Sequence, residues 1–269
     1  MRSEIIRNMP FADYHAAPEI GSSALKKIHT ESPRAYHLRI DEETDAMRVG
    51  TAGHLAVGQP DLFEEGVVAY DGKRDKRVRA WQDFQEEHAH QTILKRADYD
   101  DIRRAADAVR AHPHAGPLLR SMVEWELSIF HDGLKVRLDG LGPCVLEIKT
   151  AASAAEALFA AQSARLGYPL QFAQYLDLAR EKIDPGLDMM LIAFEKKSPY
   201  ETAVYRIPDD VLDHGRKAYL EARETYDRCM ETGHWPGAYD DGPLELRLPR
   251  WAEPEREELK RADYSGLGF

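Results

Sequence analysis

Carboxylates and a lysine recur at strand spacing between residues 124 and 150. Asp139 ends the run LKVRLD, Glu147 and Lys149 follow a Gly/Pro turn as Glu-x-Lys, and a further acid lies upstream at Glu124 or Glu126. Carboxylates that converge on one another are costly unless a cation neutralises them. The spacing therefore predicts a divalent metal site. The alternative is an exposed sheet face, where Lys–Glu cross-strand pairs are ordinary.

Three short strands would have to position these side chains. Apolar alternation predicts strands over 125–130, 134–139 and 145–150, joined by turns at 131–133 and 140–143. Because successive side chains of a strand point to opposite faces, the acids and the lysine should share one face of this meander, and the apolar residues the other. We expect other elements to cover the apolar face.

This stretch resembles the core of the PD-(D/E)xK nuclease superfamily. More narrowly, it resembles the phage and prophage recombination exonucleases of the RecE (exonuclease VIII) type, which are relatives of lambda exonuclease. The resemblance implies an α/β fold in which helices flank a central mixed sheet. It also implies that Asp139, Glu147 and the main-chain carbonyl of Ile148 hold one Mg²⁺ or Mn²⁺, and that His54 and Glu126 complete a second metal position.

Lys149 matches the lysine of the family motif. There it would orient or help deprotonate the attacking water, or neutralise charge that develops at the phosphate. Many relatives have Asp where Glu147 stands, a difference that preserves the carboxylate. Either Glu124 or Glu126 can be the upstream acid, and Glu126 is favoured because ELSIF fits the family's E-x-S-x-F.

A histidine follows a glycine at helical spacing in MRVGTAGHLAV (47–57), which resembles the family's G-x-x-x-H segment. Gly50 and His54 are four residues apart, so they share a helix face, and glycine allows a close approach of the backbone. A single helical histidine is usually a packing or surface residue. The resemblance instead implies that His54 lies beside the metal pair, where neutral imidazole is a competent ligand.

A polar stripe follows the Glu-x-Lys strand, in the helix-rich segment 151–182 that contains Pro169. Tyr168, Gln171 and Tyr175 lie at i, i+3 and i+7, which is one stripe of a helix and matches the family's Y-x-x-Q-x-x-x-Y motif. By spacing alone such a stripe is more typical of a core. By resemblance, Gln171 and Tyr175 help to arrange the catalytic groups, and Tyr168 lies near the DNA phosphate.

The ends of the chain resemble the same family. The S-S-A-L segment predicts a helix with Ser22 or Ser23 as its N-cap. W-P-G (235–237) and LRLPRWA (246–252) resemble the family's tail, so the match covers about residues 14 to 252. We expect a single nuclease domain over 1–269, made of a helical N-terminal part (1–120), a catalytic core (121–207) and a C-terminal helix and tail (208–269).

The net charge of −11 seems unsuited to a DNA-binding protein, because phosphate contacts supply most non-specific affinity. A basic loop over residues 73–79 offsets it locally, and we predict that Arg74, Arg77 and Arg79 bind DNA. Trp81 and Phe84, which follow the loop, could stack on a base. The alternatives are a solvated loop, or a DNA path along Lys26, Lys27 and Arg34.

Two cysteines, Cys144 and Cys229, form neither a disulfide nor a metal pattern. This favours a reducing cytoplasm and disfavours the related iron–sulfur nucleases, which need four cysteines. No apolar run approaches the roughly 20 residues that span a bilayer. The N-terminal sequence lacks the apolar centre of a signal peptide, so we expect a cytoplasmic protein without membrane partners.

The predicted function is metal-dependent hydrolysis of linear double-stranded DNA with two Mg²⁺ or Mn²⁺ ions per site. By resemblance, digestion runs 5′ to 3′, a single-strand annealing protein receives the 3′ overhang, and a ring-shaped homo-oligomer threads the DNA. One alternative is a RecB-like single-strand or repair nuclease of other polarity. Another is a catalytically silent domain that binds DNA or a protein partner.

Overall fold

The computed structural model describes residues 2–40, 44–240, 242–243 and 245–247. Its strands are β1 (Ser3–Ile6), β2 (Ile20–Gly21), β3 (Val67–Tyr70), β4 (Thr92–Lys95), β5 (Glu124–His131), β6 (Leu134–Leu141), β7 (Val145–Ala151), β8 (Met189–Glu195) and β9 (Thr202–Arg206). Its helices are α1 (Phe11–Ala16), α2 (Ser22–Thr30), α3 (Pro33–His37), α4 (Asp45–Gly58), α5 (Pro60–Gly66), α6 (Arg79–Glu87), α7 (Arg96–Ala111), α8 (Ala115–Arg120), α9 (Glu156–Arg165), α10 (Tyr168–Lys182) and α11 (Asp209–Thr232). Most of the predicted tail motif (246–252) lies outside the described residues.

The main sheet has the strand order β1-β5-β6-β7-β8-β9, and β2 pairs with β6. The β5–β6–β7 meander is antiparallel, as predicted, whereas β7 and β8 are parallel. Parallel neighbours need a long crossover, and α9 and α10 provide it. The expectation of an α/β fold with a central mixed sheet flanked by helices is confirmed.

Both faces of the meander are buried, so the prediction of one apolar and one polar face was wrong. One apolar cluster joins the β6 residues Val136 and Leu138 to α2, α10 and α11. A second cluster joins the β7 residues Leu146 and Ile148 to α4, α7 and α8. The neighbouring strands β6 and β7 thus direct their apolar side chains to opposite faces of the sheet. Strand alternation alone cannot reveal this, because it relates faces only within one strand.

The alternation of faces breaks at the predicted acids. On β5, Trp125 packs against the α4–α7 cluster, but Leu127, two residues on, lies in the α10 cluster. Between them Glu126 has φ +52°, a left-handed conformation that is uncommon for residues with a Cβ. The ladder pairs Trp125 with Gly140 and Leu127 with Leu138, and it skips the residues between. Such local breaks re-aim side chains and are frequent beside active sites.

The edge of β6 that faces away from β5 is shared by two strands. β7 pairs with it only at Gly140 and Leu141, and β2 pairs with it only at Leu134 and Lys135. Within the described part of the chain, no strand lies on this side of the stretch between, which ends at Asp139. This opening is where side chains from helices on both faces can reach the carboxylates.

Two local predictions about helices require correction. Neither Ser22 nor Ser23 caps α2, because the N-cap is Gly21 and no side chain accepts a bond there. In α4 a Cβ on Gly50 would meet nothing within 4 Å, so this glycine does not serve close packing. Gly53 does, since a Cβ there would lie 3.0 Å from Thr150 Cγ2 on β7.

A smaller unit made of β3, β4 and α6 carries the basic loop. Its strands pair in parallel from Val67 with Thr92 to Tyr70 with Lys95. Trp81 is buried, with only 6% of its surface exposed, and its ring packs 4.9 Å from that of Tyr70. The prediction that Trp81 stacks on a base was therefore wrong. Within the described residues, every helix is too short or too polar to cross a membrane.

Candidate active site

Asp139 bridges the gap where β6 and β7 diverge. Its Oδ2 accepts a hydrogen bond from the Ile148 main-chain N–H at 2.7 Å. Its Oδ1 lies 3.3 Å from His54 Nδ1, which reaches it from α4. A buried carboxylate with a main-chain donor on one oxygen and an imidazole on the other is held in a single orientation.

Glu147 lies on the other side of the gap and is almost completely buried, with 1% of its surface exposed. Its Oε1 accepts hydrogen bonds from Lys149 Nζ and, at 2.7 Å, from Gln171 Nε2 on α10. Its Oε2 is buried and has no hydrogen-bond partner among the residues that the structure describes. Desolvating a carboxylate oxygen without a partner is costly, so this atom is suited to an added ligand.

The two candidates for the upstream acid point to different places. Glu124 bonds Arg7 at 2.7 Å and is partly exposed. Glu126 bonds Arg137 at 2.5 Å, and the charge of Asp139 helps to raise its pKa, so it lies beside the centre. The structure thus places Glu126 nearer to Asp139 than Glu124, whereas its role as the upstream acid stays a prediction.

The helical stripe reaches the same centre. Gln171 bonds Glu147, and burial together with the charge of Glu147 raises the pKa of Tyr175. The Tyr168 ring lies 5.3 Å from Lys149 Nζ, a cation–π distance. These three side chains therefore surround the Glu-x-Lys strand, whereas their roles in catalysis and DNA binding stay predictions.

Burial and mutual charge shift the pKa values of the central groups in different directions. Burial, with the charge of Asp139, raises the pKa of Glu147 to about 7 despite the opposing effect of Lys149. Burial alone would raise the pKa of Asp139, but the neighbouring His54 and Lys149 have the larger effect and lower it. Burial lowers the pKa of Lys149, yet Glu147 and Asp139 bring it above the ordinary value. Lys149 thus stays protonated, whereas Glu147 titrates near neutral pH.

This arrangement predicts a pH-dependent stability of the metal-free protein. A carboxyl whose pKa rises from 4.5 to about 7 on folding binds protons more tightly in the folded state. Its contribution to stability is complete below the unfolded pKa and is lost as the pH rises through the folded one. We expect the free energy of unfolding of Glu147→Gln, relative to wild type, to increase between pH 4.5 and pH 7 in urea titrations with a chelator. A difference that does not change with pH would refute this assignment.

The donor set fits a hard divalent cation without forming a finished cage. Among the described residues, no three His, Cys, Asp or Glu side chains converge as a ready metal cluster. Asp139 and Glu147 offer carboxylate oxygens, which Mg²⁺ and Mn²⁺ prefer as ligands. The Glu147 Oε2 atom, which has no hydrogen-bond partner among the described residues, could bind such a cation. These two residues would hold the metal. Ile148, His54 and Glu126 remain the predicted additional ligands.

The loop arginines lie apart from this centre. Arg74 bonds Asp45 at 2.6 Å, at the first residue of α4, about 14 Å along that helix from His54 at 1.5 Å per residue. With Lys76 it also lines a cavity of about 420 Å³. Arg77 and Arg79 have side chains that are 87% and 90% exposed, each beside an aspartate.

Sequence analysis missed the contribution of α2 to the centre. Lys26 Nζ donates to Gln171 Oε1 at 2.8 Å, so it is the second lysine beside the Glu-x-Lys strand. Burial and the nearby Lys149 lower the pKa of Lys26 to about 8. The available signal was the i, i+4 spacing of Ser22 and Lys26, which puts both on one helix face.

Residues 22–241 match the family described as PDDEXK-like domain of unknown function (DUF3799). In fold, the chain is similar to a candidate exonuclease from Eubacterium rectale, with a TM-score of 0.61 and 11% identity over 91% of this chain and 96% of that one. At this identity the likeness concerns the fold alone. No curated protein matches the sequence of this chain. Because the family match covers most of the chain, and the fold and the converging carboxylates agree with it, this protein belongs to the PDDEXK-like domains.

Proposed function

We propose that this protein is a metal-dependent nuclease that hydrolyses the phosphodiester bonds of DNA. One observation carries the proposal: where β6 and β7 diverge, the largely buried Asp139 bonds the Ile148 N–H, and the residues on either side of Ile148, Glu147 and Lys149, bond each other. A structural ion pair does not need a second carboxylate, nor a carboxylate oxygen left without a partner. A cation-binding centre accounts for both.

In this proposal some residues of the centre bind the cations, and Lys149 acts on the phosphate. Asp139 and Glu147 hold Mg²⁺ or Mn²⁺ with the Ile148 carbonyl, and His54 and Glu126 serve a second cation. When bound, such cations lower the pKa of water and stabilise the leaving oxygen. The protonated Lys149 neutralises charge that develops at the phosphate. Gln171 and Tyr175 keep the surrounding groups in place.

The direction and substrate of the reaction rest on the resemblance to RecE-type exonucleases. On that basis the substrate is the end of linear duplex DNA, digestion runs 5′ to 3′, and a 3′ overhang remains. A single-strand annealing protein would then bind the overhang, and a ring-shaped homo-oligomer would keep the enzyme on its substrate. Duplex ends, and not internal sites, would enter the opening beside β6.

Digestion of end-labelled duplexes tests this function. With Mg²⁺, we expect a 5′-labelled linear duplex to release its label early as mononucleotide, and a 3′-labelled duplex to release it late. Comparing the digestion rates of duplexes with 5′-phosphate and 5′-hydroxyl ends would show whether the enzyme recognises the terminal phosphate. Covalently closed circles should resist digestion. Cleavage of circles, early loss of the 3′ label or a preference for single strands would contradict the proposed specificity.

The basic loop should affect DNA binding more than chemistry. Replacing Arg74, Arg77 and Arg79 together by Ser should reduce the slope of log affinity against log salt by about one for each lost phosphate contact. Single-turnover cleavage at saturating DNA and low salt should stay within about tenfold of wild type, because the metal site is untouched.

A charge-matched variant controls for the loss of three cations. Arg104, Lys217 and Arg228 are exposed on α7 and α11, and replacing them by Ser changes the net charge equally. Binding is titrated with metal-free protein so that no cutting occurs. If the loop variant and this control have the wild-type salt slope, the loop is solvated surface and the DNA path lies elsewhere.

A further inference from the structure

Lys26 is connected to the candidate metal site through one glutamine. Its Nζ donates to Gln171 Oε1 at 2.8 Å, and Gln171 Nε2 donates to Glu147 Oε1 at 2.7 Å. The hydrogen bonds thus connect α2 to α10 and α10 to the Glu147 carboxylate on β7. Lys26 itself contributes no group that could bind a cation.

Donor and acceptor chemistry fixes the direction of this chain. An ammonium group only donates, an ionised carboxylate only accepts, and an amide has one end of each kind. The Lys26 ammonium therefore takes the amide oxygen of Gln171 and directs the NH₂ group toward Glu147. Without Lys26, the carboxylate alone would have to select the amide orientation.

The lysine stem is confined at the start of α10. Gly167, the residue before the helix, has φ +66°, and a Cβ there would lie 3.3 Å from Lys26 Cγ and 3.5 Å from Cδ. The stem thus runs along bare backbone. Farther out, the Nζ lies 5.5 Å from the Tyr168 ring, which also faces Lys149 Nζ at 5.3 Å. A side chain held at both its stem and its head is suited to orienting a partner.

We propose that Lys26 is a positioning residue that orients the Gln171 amide so that Glu147 is held ready for the cation. This inference rests on the proposed function, because it concerns the same metal site. If Lys26 acted only through its charge, its removal would change the metal affinity in one direction, and if it acts by orienting Gln171, its removal would change the affinity in the other. A buried ammonium repels a nearby cation, so its removal on charge grounds alone should tighten metal binding. Loss of an orienting contact behind a ligand instead weakens metal binding.

The experiment measures Mn²⁺ affinity by isothermal titration calorimetry, without DNA. Lys26→Met should weaken binding by about tenfold, the lower end of what losing an outer-shell partner costs. Lys26→Arg, which keeps donors at the position, should retain most of the affinity. Lys27→Met is the matched control, since it removes the same charge from the neighbouring residue, which pairs with Glu31 at the surface.

A double-mutant cycle with Gln171→Ala separates positioning from other effects. If Lys26 acts through Gln171, adding Lys26→Met to Gln171→Ala should cause no further weakening, and the lost charge should slightly tighten binding. Unchanged or tighter binding by Lys26→Met alone would overturn the inference. So would an equal weakening in both backgrounds, with thermal melts confirming that each variant is folded.

Metal binding and DNA hydrolysis can fail separately. A wild-type protein that binds Mn²⁺ with this pattern of variants, yet digests no DNA, would overturn the proposed function and support the role of Lys26. If the wild-type protein digests DNA and Lys26→Met binds Mn²⁺ with wild-type affinity, the proposed function is supported and the role of Lys26 is overturned. A wild-type protein that binds no Mn²⁺ would overturn both.

Discussion

Glu147→Gln and Asp139→Asn are each expected to reduce Mg²⁺-dependent digestion of linear duplex by about a thousandfold or more. A metal centre supplies several kcal/mol of transition-state stabilisation, and each 1.36 kcal/mol is a factor of ten. Both substitutions keep the shape of the side chain but remove the charge that attracts the cation. Among the described residues, Glu147 Oε2 is a buried oxygen without a hydrogen-bond partner, so its replacement removes an atom well placed to bind metal.

The same variants should remain folded. Burial opposes the charge of Glu147, so neutralising it relieves a cost, and metal-free Glu147→Gln should be no less stable than wild type at neutral pH. Asp139→Asn should lose some stability there, because His54 and Lys149 favour the charged form and lower the pKa of Asp139. Glu124→Gln is the matched control, because Glu124 lies on β5 of the same sheet and pairs with Arg7 away from the centre. Turnover by either core variant close to the wild-type rate would refute the assignment of the site.

His54→Ala is expected to lower Mg²⁺-dependent activity by about a hundredfold, the upper end of the cost of altering a metal's supporting groups. His54 reaches Asp139 from α4 and is the imidazole at the centre. Mn²⁺ should restore part of the loss, because Mg²⁺ demands near-ideal octahedral geometry and manganese tolerates other ligand arrangements. Single-turnover rates in the two metals measure this difference.

A packing role for His54 would give a different pattern. The variant would melt at a lower temperature, and its activity per folded molecule would equal that of wild type in both metals. His29→Ala, at an exposed position on α2, shows the background effect of removing an imidazole. Equal loss in Mg²⁺ and Mn²⁺ would mean that His54 does not adjust the metal geometry.

Local sequence pattern predicted the elements of the site well. Alternation and turn residues gave β5, β6 and β7, and the i, i+3, i+7 stripe placed Tyr168, Gln171 and Tyr175 on one helix. Both signals depend on neighbours close in sequence, which fix strand and helix periodicity. The proposed roles of Asp139 and Glu147 came from the resemblance to the PD-(D/E)xK superfamily, to which the spacing of these residues pointed.

The relation between the strands could not be predicted in this way. Glu126 adopts a left-handed conformation, and β7 leaves β6 after two residue pairs, so the acids meet in a gap and not on one polar face. Lys26 contacts Gln171 across 145 positions of sequence, and no periodic pattern reports such a contact. Trp81, next to a basic loop, was considered as a platform for base stacking, but it is buried beside Tyr70.

The position of Mn²⁺ in crystals of the wild-type protein tests the central claim most directly. Anomalous scattering at the manganese edge identifies the ion without assumptions about the reaction. We predict a peak contacted by the carboxylates of Asp139 and Glu147, and its loss in crystals of Glu147→Gln. A peak only at another place, such as the acidic surface near Asp98 and Asp101, or no peak at Mn²⁺ concentrations that support DNA digestion, would contradict the account.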